Sequence, residues 1–264
     1  MTSAAALSIH SVGGPTAVLE LGGVRIVTDP TFDEPREYVM GPGRVLVKTL
    51  DAALRAEQIG PVDAVLLSHD QHVDNLDTAG RAYLAEVPLV LTTAIAAERL
   101  GGVCRAVAEW DHVDLPRPDG GVLRVTRVPA QHGPDGSLHL VGEVAGFVLE
   151  GADLPTVYVS GDNASLDVVR AVAVRFGRID IALIFAGAAR TALLGDAYLT
   201  LTSAQAAEAT RILAAPRVVP LHFNSWQHFT EGGEELRKAF ADAGLADRLT
   251  LLAPGESTVV ATEY

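Results

Sequence analysis

Cys104 is the only cysteine in the 264-residue chain. A single thiol excludes an intrachain disulfide and a thiolate metal cage, so any metal has to be held by imidazole and carboxylate. No apolar run approaches the ~20 residues of a membrane span. Met1–Ser11 lacks the basic segment and long apolar stretch of a signal peptide, and a cytoplasmic protein is expected. Cations are scarce: 20 Lys and Arg stand against 33 Asp and Glu, a net charge of -13. A surface this acidic repels phosphate backbones and anionic lipid, which argues against nucleic acid and membrane as partners. There is no low-complexity tract, no sustained like-charge run and no evident linker. One domain spanning residues 1–264 is therefore expected, with disorder only at its extreme ends.

What is present is a set of short apolar segments cut by turn residues. Ala5–His10, Ala17–Leu21 and Val24–Thr28, separated by Gly-Gly pairs, read as a β-meander. Residues 29–48 carry Pro30, Pro35 and Pro42 and read as a long loop, of the kind that is often functional. Further strands are expected at Ala64–Ser68, Leu89–Leu91, Val122–Val128, Val144–Leu149, Thr156–Val159, Ile179–Phe185, Arg217–Leu221, Leu249–Leu252 and Ser257–Ala261. Helices are expected at Leu50–Ile59, Leu76–Glu86, Ile95–Leu100, Ser165–Phe176, Ser203–Leu213 and Glu234–Ala243. Periodicity alone supports only an α/β or α+β class; the order of elements suits sheet packed on sheet with helices outside.

Four of the expected strands run directly into groups able to bind a metal. They are Ser68-His69-Asp70-Gln71-His72-Val73-Asp74-Asn75, then Gln131-His132-Gly133, Ser160-Gly161-Asp162-Asn163 and Leu221-His222-Phe223. A single histidine after a strand is more often a loop or capping residue, and Asp162 alone would pass for a helix cap. Recurrence at four strand ends, in the order His-rich, His, Asp, His, carries the argument. Neutral imidazole and carboxylate together suit zinc, iron or manganese. His228 follows the last of these segments within Phe223–Phe229 and is a candidate for substrate contact or proton transfer. Arg190 is a candidate for meeting an anionic substrate. His10, His112 and His139 carry no distinctive pattern.

This order resembles the metallo-β-lactamase superfamily, whose first metal motif is His-x-His-x-Asp-His at a strand end. Gly13-Gly14-Pro15-Thr16-Ala17 and Thr28-Asp29-Pro30 resemble its ascorbate-phosphate lactonase-like branch. The resemblance implies a four-layer αββα sandwich with metal at one edge of the two sheets. Position by position it assigns His69, His72, Asp74, His132, Asp162 and His222 as ligands. Two departures stand out. Gln71 reads as a one-residue insertion, so either His72 or Gln71 occupies the second ligand place; His72 is favoured because it keeps His-x-Asp intact. Asn75 stands where the third motif histidine would be, and an amide oxygen is a weaker zinc ligand than imidazole.

The resemblance further implies a hydrolase in which a metal-activated water attacks a small-molecule ester, lactone, amide or phosphodiester. One or two Zn²⁺ or Mn²⁺ ions are implied, with the second site in doubt. Asp74 would orient or deprotonate the water, and Asp29 and Asp77 would hold ligand imidazoles by hydrogen bonds. A homo-oligomer is left open. The alternative is a degenerate, non-catalytic metal- or ligand-binding protein of the same fold, favoured by Gln71 and Asn75. A di-iron redox enzyme is a further alternative, and wants a more carboxylate-rich ligand set.

The charge balance leads to a direct expectation. At physiological salt the protein should not bind duplex DNA in a gel-shift assay; a salt-sensitive shift at micromolar protein would contradict it.

Overall fold

The computed structural model describes residues 6–41 and 44–261. The chain opens with β1 (Ala6–Gly13), β2 (Thr16–Leu21) and β3 (Val24–Thr28), paired antiparallel in succession as the meander expected from the Gly-Gly turns. Ala5, expected to begin β1, lies outside the described residues. β4 (Arg36–Gly41) and β5 (Arg44–Lys48) form a separate hairpin. That corrects the long loop expected over 29–48. Pro30 and Pro35 both precede β4 and interrupt no ladder, so the alternating residues after them are free to pair; Pro42 lies outside the described residues.

The next elements are α1 (Ala56–Ile59), β6 (Ala64–Leu66), α2 (Thr78–Tyr83), β7 (Val90–Thr92), α3 (Ala94–Leu100), β8 (Cys104–Ala106) and β9 (His112–Pro116). After them come β10 (Val122–Ala130), α4 (Leu138–Val141), β11 (Val144–Glu150), β12 (Val157–Val159), α5 (Leu166–Phe176) and β13 (Ile181–Phe185). The chain ends with α6 (Ser203–Ile212), β14 (Arg217–Leu221), α7 (Gly233–Asp242) and β15 (Ser257–Ala261). The first two helices are shorter than expected: α1 covers only the end of Leu50–Ile59, and α2 the middle of Leu76–Glu86. β8, β9 and α4 were not expected from the sequence. β8 and β9 are edge strands, too short or too exposed to carry a strong apolar pattern. Leu249–Leu252 is not a strand; Leu249 makes a single bridge to Val218.

Two sheets result, in the orders β15-β1-β2-β3-β6-β7-β8 and β14-β13-β12-β11-β10-β9. Their facing sides share one core, where Ile9, Leu19 and Ile26 of the first sheet meet Leu123, Phe147 and Leu183 of the second. A second core lies on the outer side of the second sheet, beneath Val169 and Val172 of α5, Ala206 of α6 and Leu236 and Phe240 of α7. A third packs Ile59 and Tyr83 against Val27 and Val65 of the first sheet. The architecture is the expected four-layer αββα sandwich, because each sheet buries one face on the other and its second face under helices. No helix among the described residues is long and apolar enough to cross a membrane.

This topology sets the edge on which the chemistry-bearing residues fall. β3 and β6 are parallel, as are β12, β13 and β14. β10 runs with β12 because both are antiparallel to β11. The C-terminal ends of all these strands therefore open on one edge. There the sheets touch: Ala145 N–H donates to Ser68 O at 2.9 Å. A Cβ on Gly161 would lie 2.3 Å from Ala145 O and 3.1 Å from Ser68 Cβ, and its φ is +57°. Only glycine fits that crossing, one residue before Asp162.

A buried ion pair ties the hairpin to α2. Lys48 Nζ lies 3.0 Å from Asp77 Oδ2, both side chains almost fully buried. Asp77 also caps α2 by accepting from Gly80 N–H, and accepts from Asp33 N–H. Lys48→Met keeps the aliphatic stem but leaves a buried carboxylate without its counter-charge, which should cost about 3–5 kcal/mol of stability. The urea midpoint reads it. Lys48→Met/Asp77→Asn should recover part of the loss, whereas a loss under about 1 kcal/mol in the single variant would show that the pair contributes little.

Candidate metal centre

Two clusters meet at the shared edge: His69, His72 and His132, and Asp74, Asp162 and His222. Each arrives on the end of a strand. Ser68 and His69 follow β6, His132 follows β10, Asp162 follows β12 and His222 follows β14. The turn after His69 is closed by Asn75 N–H and Leu76 N–H, both donating to His72 O, which presents His72 and Asp74 on one side. His222 has φ +55°, a left-handed conformation that costs a non-glycine residue about 1–3 kcal/mol. Its N–H donates to Gly14 O at 2.8 Å, and Gly14 N–H donates to Asn224 Oδ1 at 2.9 Å. The Gly13–Gly14 turn thus grips the chain on both sides of His222.

In the first cluster His69 Nε2 lies 2.9 Å and His132 Nε2 3.2 Å from His72 Nδ1. His132 Nδ1 faces Leu199 O at 2.8 Å. A carbonyl only accepts, so the ring hydrogen sits on Nδ1 and the Nε2 lone pair points into the cluster. Ser68 Oγ donates to Asp29 Oδ2 at 2.7 Å and lies 2.9 Å from His69 Nδ1. With Asp29 ionised, His69 Nδ1–H donates to Ser68 and its Nε2 lone pair also points inward. His72 Nδ1 can offer a hydrogen to only one of these two lone pairs, and a cation held by the three rings would meet what they leave unmet. Burial, reinforced by the neighbouring imidazoles, holds His69 well below the usual histidine range and His72 down to about 4. Neutral rings are the form that binds metal.

Gln71 turns away. Its Nε2 donates to Val141 O and Glu143 O, both at 3.0 Å, and its Oε1 accepts from Arg99. Of the two registers open in the sequence, the fold brings His72 to the cluster.

The second cluster carries negative charge. His222 Nε2 lies 3.4 Å from both Asp74 Oδ2 and Asp162 Oδ1, and neither of its ring nitrogens makes a hydrogen bond among the described residues. Burial opposes charge on His222, but Asp162 and Asp74 outweigh it and push its pKa up to about 10. Burial likewise opposes charge on the carboxylates; His228 and His222 overcome it for Asp74, and His222 for Asp162, and both stay ionised far below the usual range. A field that favours a proton this strongly also favours a metal cation in its place. Asn75 does not present its oxygen as a ligand. Its Nδ2 donates to Asp162 Oδ1 and Asp29 Oδ2, both at 3.2 Å. His228 Nε2 is 3.0 Å from Asp74 Oδ2, beside this cluster.

Asp29 reaches His69 only through Ser68, and Asp77 touches no cluster imidazole; its partners are Lys48, Asp33 and α2. The expectation that both aspartates hold imidazoles directly is therefore corrected. Two residues were missed in the sequence. The Leu199 carbonyl orients His132, yet a backbone group leaves no residue-type signal. Ser68 is flagged only by its place between an apolar strand and His69. A cleft enclosing about 910 Å³, part of it open to solvent, has His72, Asp74, His132 and His228 on its floor. The β4–β5 hairpin forms one wall, with α4 and residues 189–199 on the other. Arg190 lines it, stacked on Tyr198 at 4.3 Å and 3.7 Å from Asp196.

The chain is similar to known proteins. A UPF0173 metal-dependent hydrolase of Opitutus terrae is 30% identical over 226 residues, covering 81% of this chain and 83% of its own. A second, from Pyrococcus abyssi, is 27% identical over 228 residues, covering 83% and 93%. An isothiocyanate hydrolase from Delia radicum gut bacteria superposes with a TM-score of 0.82 at 22% identity, over 97% of this chain and all of its own. The family model described as a beta-lactamase superfamily domain matches residues 24–223, a span that holds both clusters. The chain, with its αββα sandwich and His/Asp clusters at the sheet edge, belongs to the metallo-β-lactamase superfamily.

Proposed function

We propose that this protein is a metal-dependent hydrolase acting on a small-molecule ester, lactone, amide or phosphodiester, with the whole chain serving as one catalytic unit. The observation that carries it is the convergence of the His69 and His132 lone pairs on His72 Nδ1, at 2.9 and 3.2 Å, with His72 and His132 on the floor of a cleft. The names of the sequence relatives, metal-dependent hydrolases, support the same reading.

His69, His72 and His132 would hold one divalent cation, Zn²⁺ or Mn²⁺, and Asp74, Asp162 and His222 a second. A cation bound there lowers the pKa of water toward ~7 and polarises the bond to be broken. The chain's own groups do the rest. Leu199 and the Ser68–Asp29 pair keep the imidazole lone pairs pointing inward. Asp74 faces the cleft and orients the attacking water. His228 passes a proton between Asp74 Oδ2, 3.0 Å away, and the leaving group. The apolar walls would exclude bulk water once substrate covers them.

The degenerate-site alternative draws on Asn75. Its amide, however, holds Asp162 in place beside Asp74 and His222, which a decayed site would not require. The deciding experiment is turnover of chromogenic esters, lactones and phosphodiesters by the Zn²⁺- or Mn²⁺-loaded protein. Turnover abolished in His132→Ala supports the reading, and no turnover of any probe by metal-replete wild type favours the binding protein.

Bound metal can be counted by mass spectrometry after dialysis. His72→Ala should lose metal and Gln71→Ala should not, and the reverse result would mean that the side chains exchange places in solution.

The two sites should be unequal. The second lacks an imidazole at Asn75, and losses even beyond the direct ligands lower affinity ~10–100-fold. Wild type should keep one equivalent firmly and a second at least about tenfold more weakly, with His132→Ala removing the firm one and His222→Ala the weak one. Two equally tight equivalents would point to His228 as an additional ligand.

A further inference from the structure

We infer that the cleft receives an uncharged, apolar portion of the substrate, an aliphatic or aryl group attached to the bond that is cleaved. The inference rests on the hydrolase reading above and adds a substrate class to it. Six side chains carry it: Met40, Val45 and Leu46 of the β4–β5 hairpin, Leu140 of α4, and Leu193 and Leu199 between β13 and α6. They line the same cleft as His72, Asp74, His132 and His228, so a group packed on them is continuous with a bond placed at the clusters. Val45, Leu140 and Leu193 are 49%, 46% and 46% exposed. Large aliphatic side chains left in water around a concave site mark a surface that a ligand covers.

Charge points the same way. The chain carries a net charge of -13, which disfavours the approach of anions. Of the two arginines at the cleft, Arg44 donates to Met40 O at 3.0 Å, and Arg190 is held on Tyr198 and faces Asp196. A sugar phosphate would leave the aliphatic walls uncovered.

The test uses the full chain loaded with Zn²⁺ and straight-chain hydroxamic acids from acetyl to octanoyl, with affinity read by calorimetry. The hydroxamate head chelates metal and the tail reports on the cleft, independently of turnover. Kd should fall about two- to fourfold per added methylene until the cleft is filled, as expected for burying a CH₂ group. The triple variant Val45→Asn/Leu140→Asn/Leu193→Asn should keep its metal and lose most of that length dependence. A flat series, or tighter binding when the tail ends in a carboxylate, overturns the inference while leaving the metal reading intact. A wild-type dimer that the triple variant dissociates, with length dependence unchanged, assigns the patch to a second copy and also overturns it. Wild type that retains no metal and binds no hydroxamate refutes the hydrolase reading itself.

Discussion

One buried carboxylate organises the functional edge of this protein. Asp29 follows β3 at the seam between the sheets, with φ +29°, and has almost no contact with water. Burial pushes its carboxyl up to about 7 against the opposing pull of its hydrogen bonds. A carboxylate in that position needs donors, and the donors available are Ser68 N–H at 2.6 Å, Ser68 Oγ at 2.7 Å and Asn75 Nδ2 at 3.2 Å. Ser68 in turn sets the tautomer of His69, and Asn75 reaches on to Asp162. Satisfying one desolvated group thus positions a member of each cluster. Backbone contacts close the arrangement: Asp29 N–H donates to Leu66 O, and Thr16 Oγ1 donates to Asp29 O. The Thr16 and Thr28-Asp29-Pro30 segments are the means by which the meander is fastened to the metal motif.

The two clusters divide the electrostatics. His69 and His72, kept neutral by burial, lie beside two carboxylates kept ionised by a positive His222. In a low-dielectric edge this charge pattern suits a cation as well as a proton, because desolvation of the carboxylates has already been met by folding. The substitution at Asn75 fits that picture. Where a histidine would add a ligand, the amide adds two hydrogen bonds that hold carboxylates of the first and second sheets together.

The cleft has a different origin from the clusters beneath it. Its floor is a product of strand ends, whereas its walls come from segments outside both sheets: the β4–β5 hairpin, α4 and the stretch around Arg190. Lys48 is the point where wall and scaffold join, since its buried ammonium reaches Asp77 at the start of α2, while its backbone bridges to Trp226 near His228. Binding selectivity can therefore change in the walls without disturbing the ligand geometry, a division common where a rigid sheet carries variable loops.

The chain's local pattern determined a good deal. An apolar run followed at once by His, Asp or His is a short-range signal, and it singled out His69, His132, Asp162 and His222; the sandwich that gathers them was implied by the family resemblance that those residues carry. Only the tertiary structure decided what depends on distant partners. His72 faces the cluster rather than Gln71 because Val141 and Glu143, some seventy residues on, take up the glutamine amide. The β4–β5 pairing was masked by the prolines before it. Asp77 looked like a support for imidazole until Lys48 claimed it, and His132 takes its orientation from a carbonyl 67 residues away. Residue type and order name the groups that can bind a cation, because donor chemistry is written in each side chain. Which atom of each group points inward is settled by hydrogen bonds between strands far apart in the chain, and these exist only once the two sheets have packed.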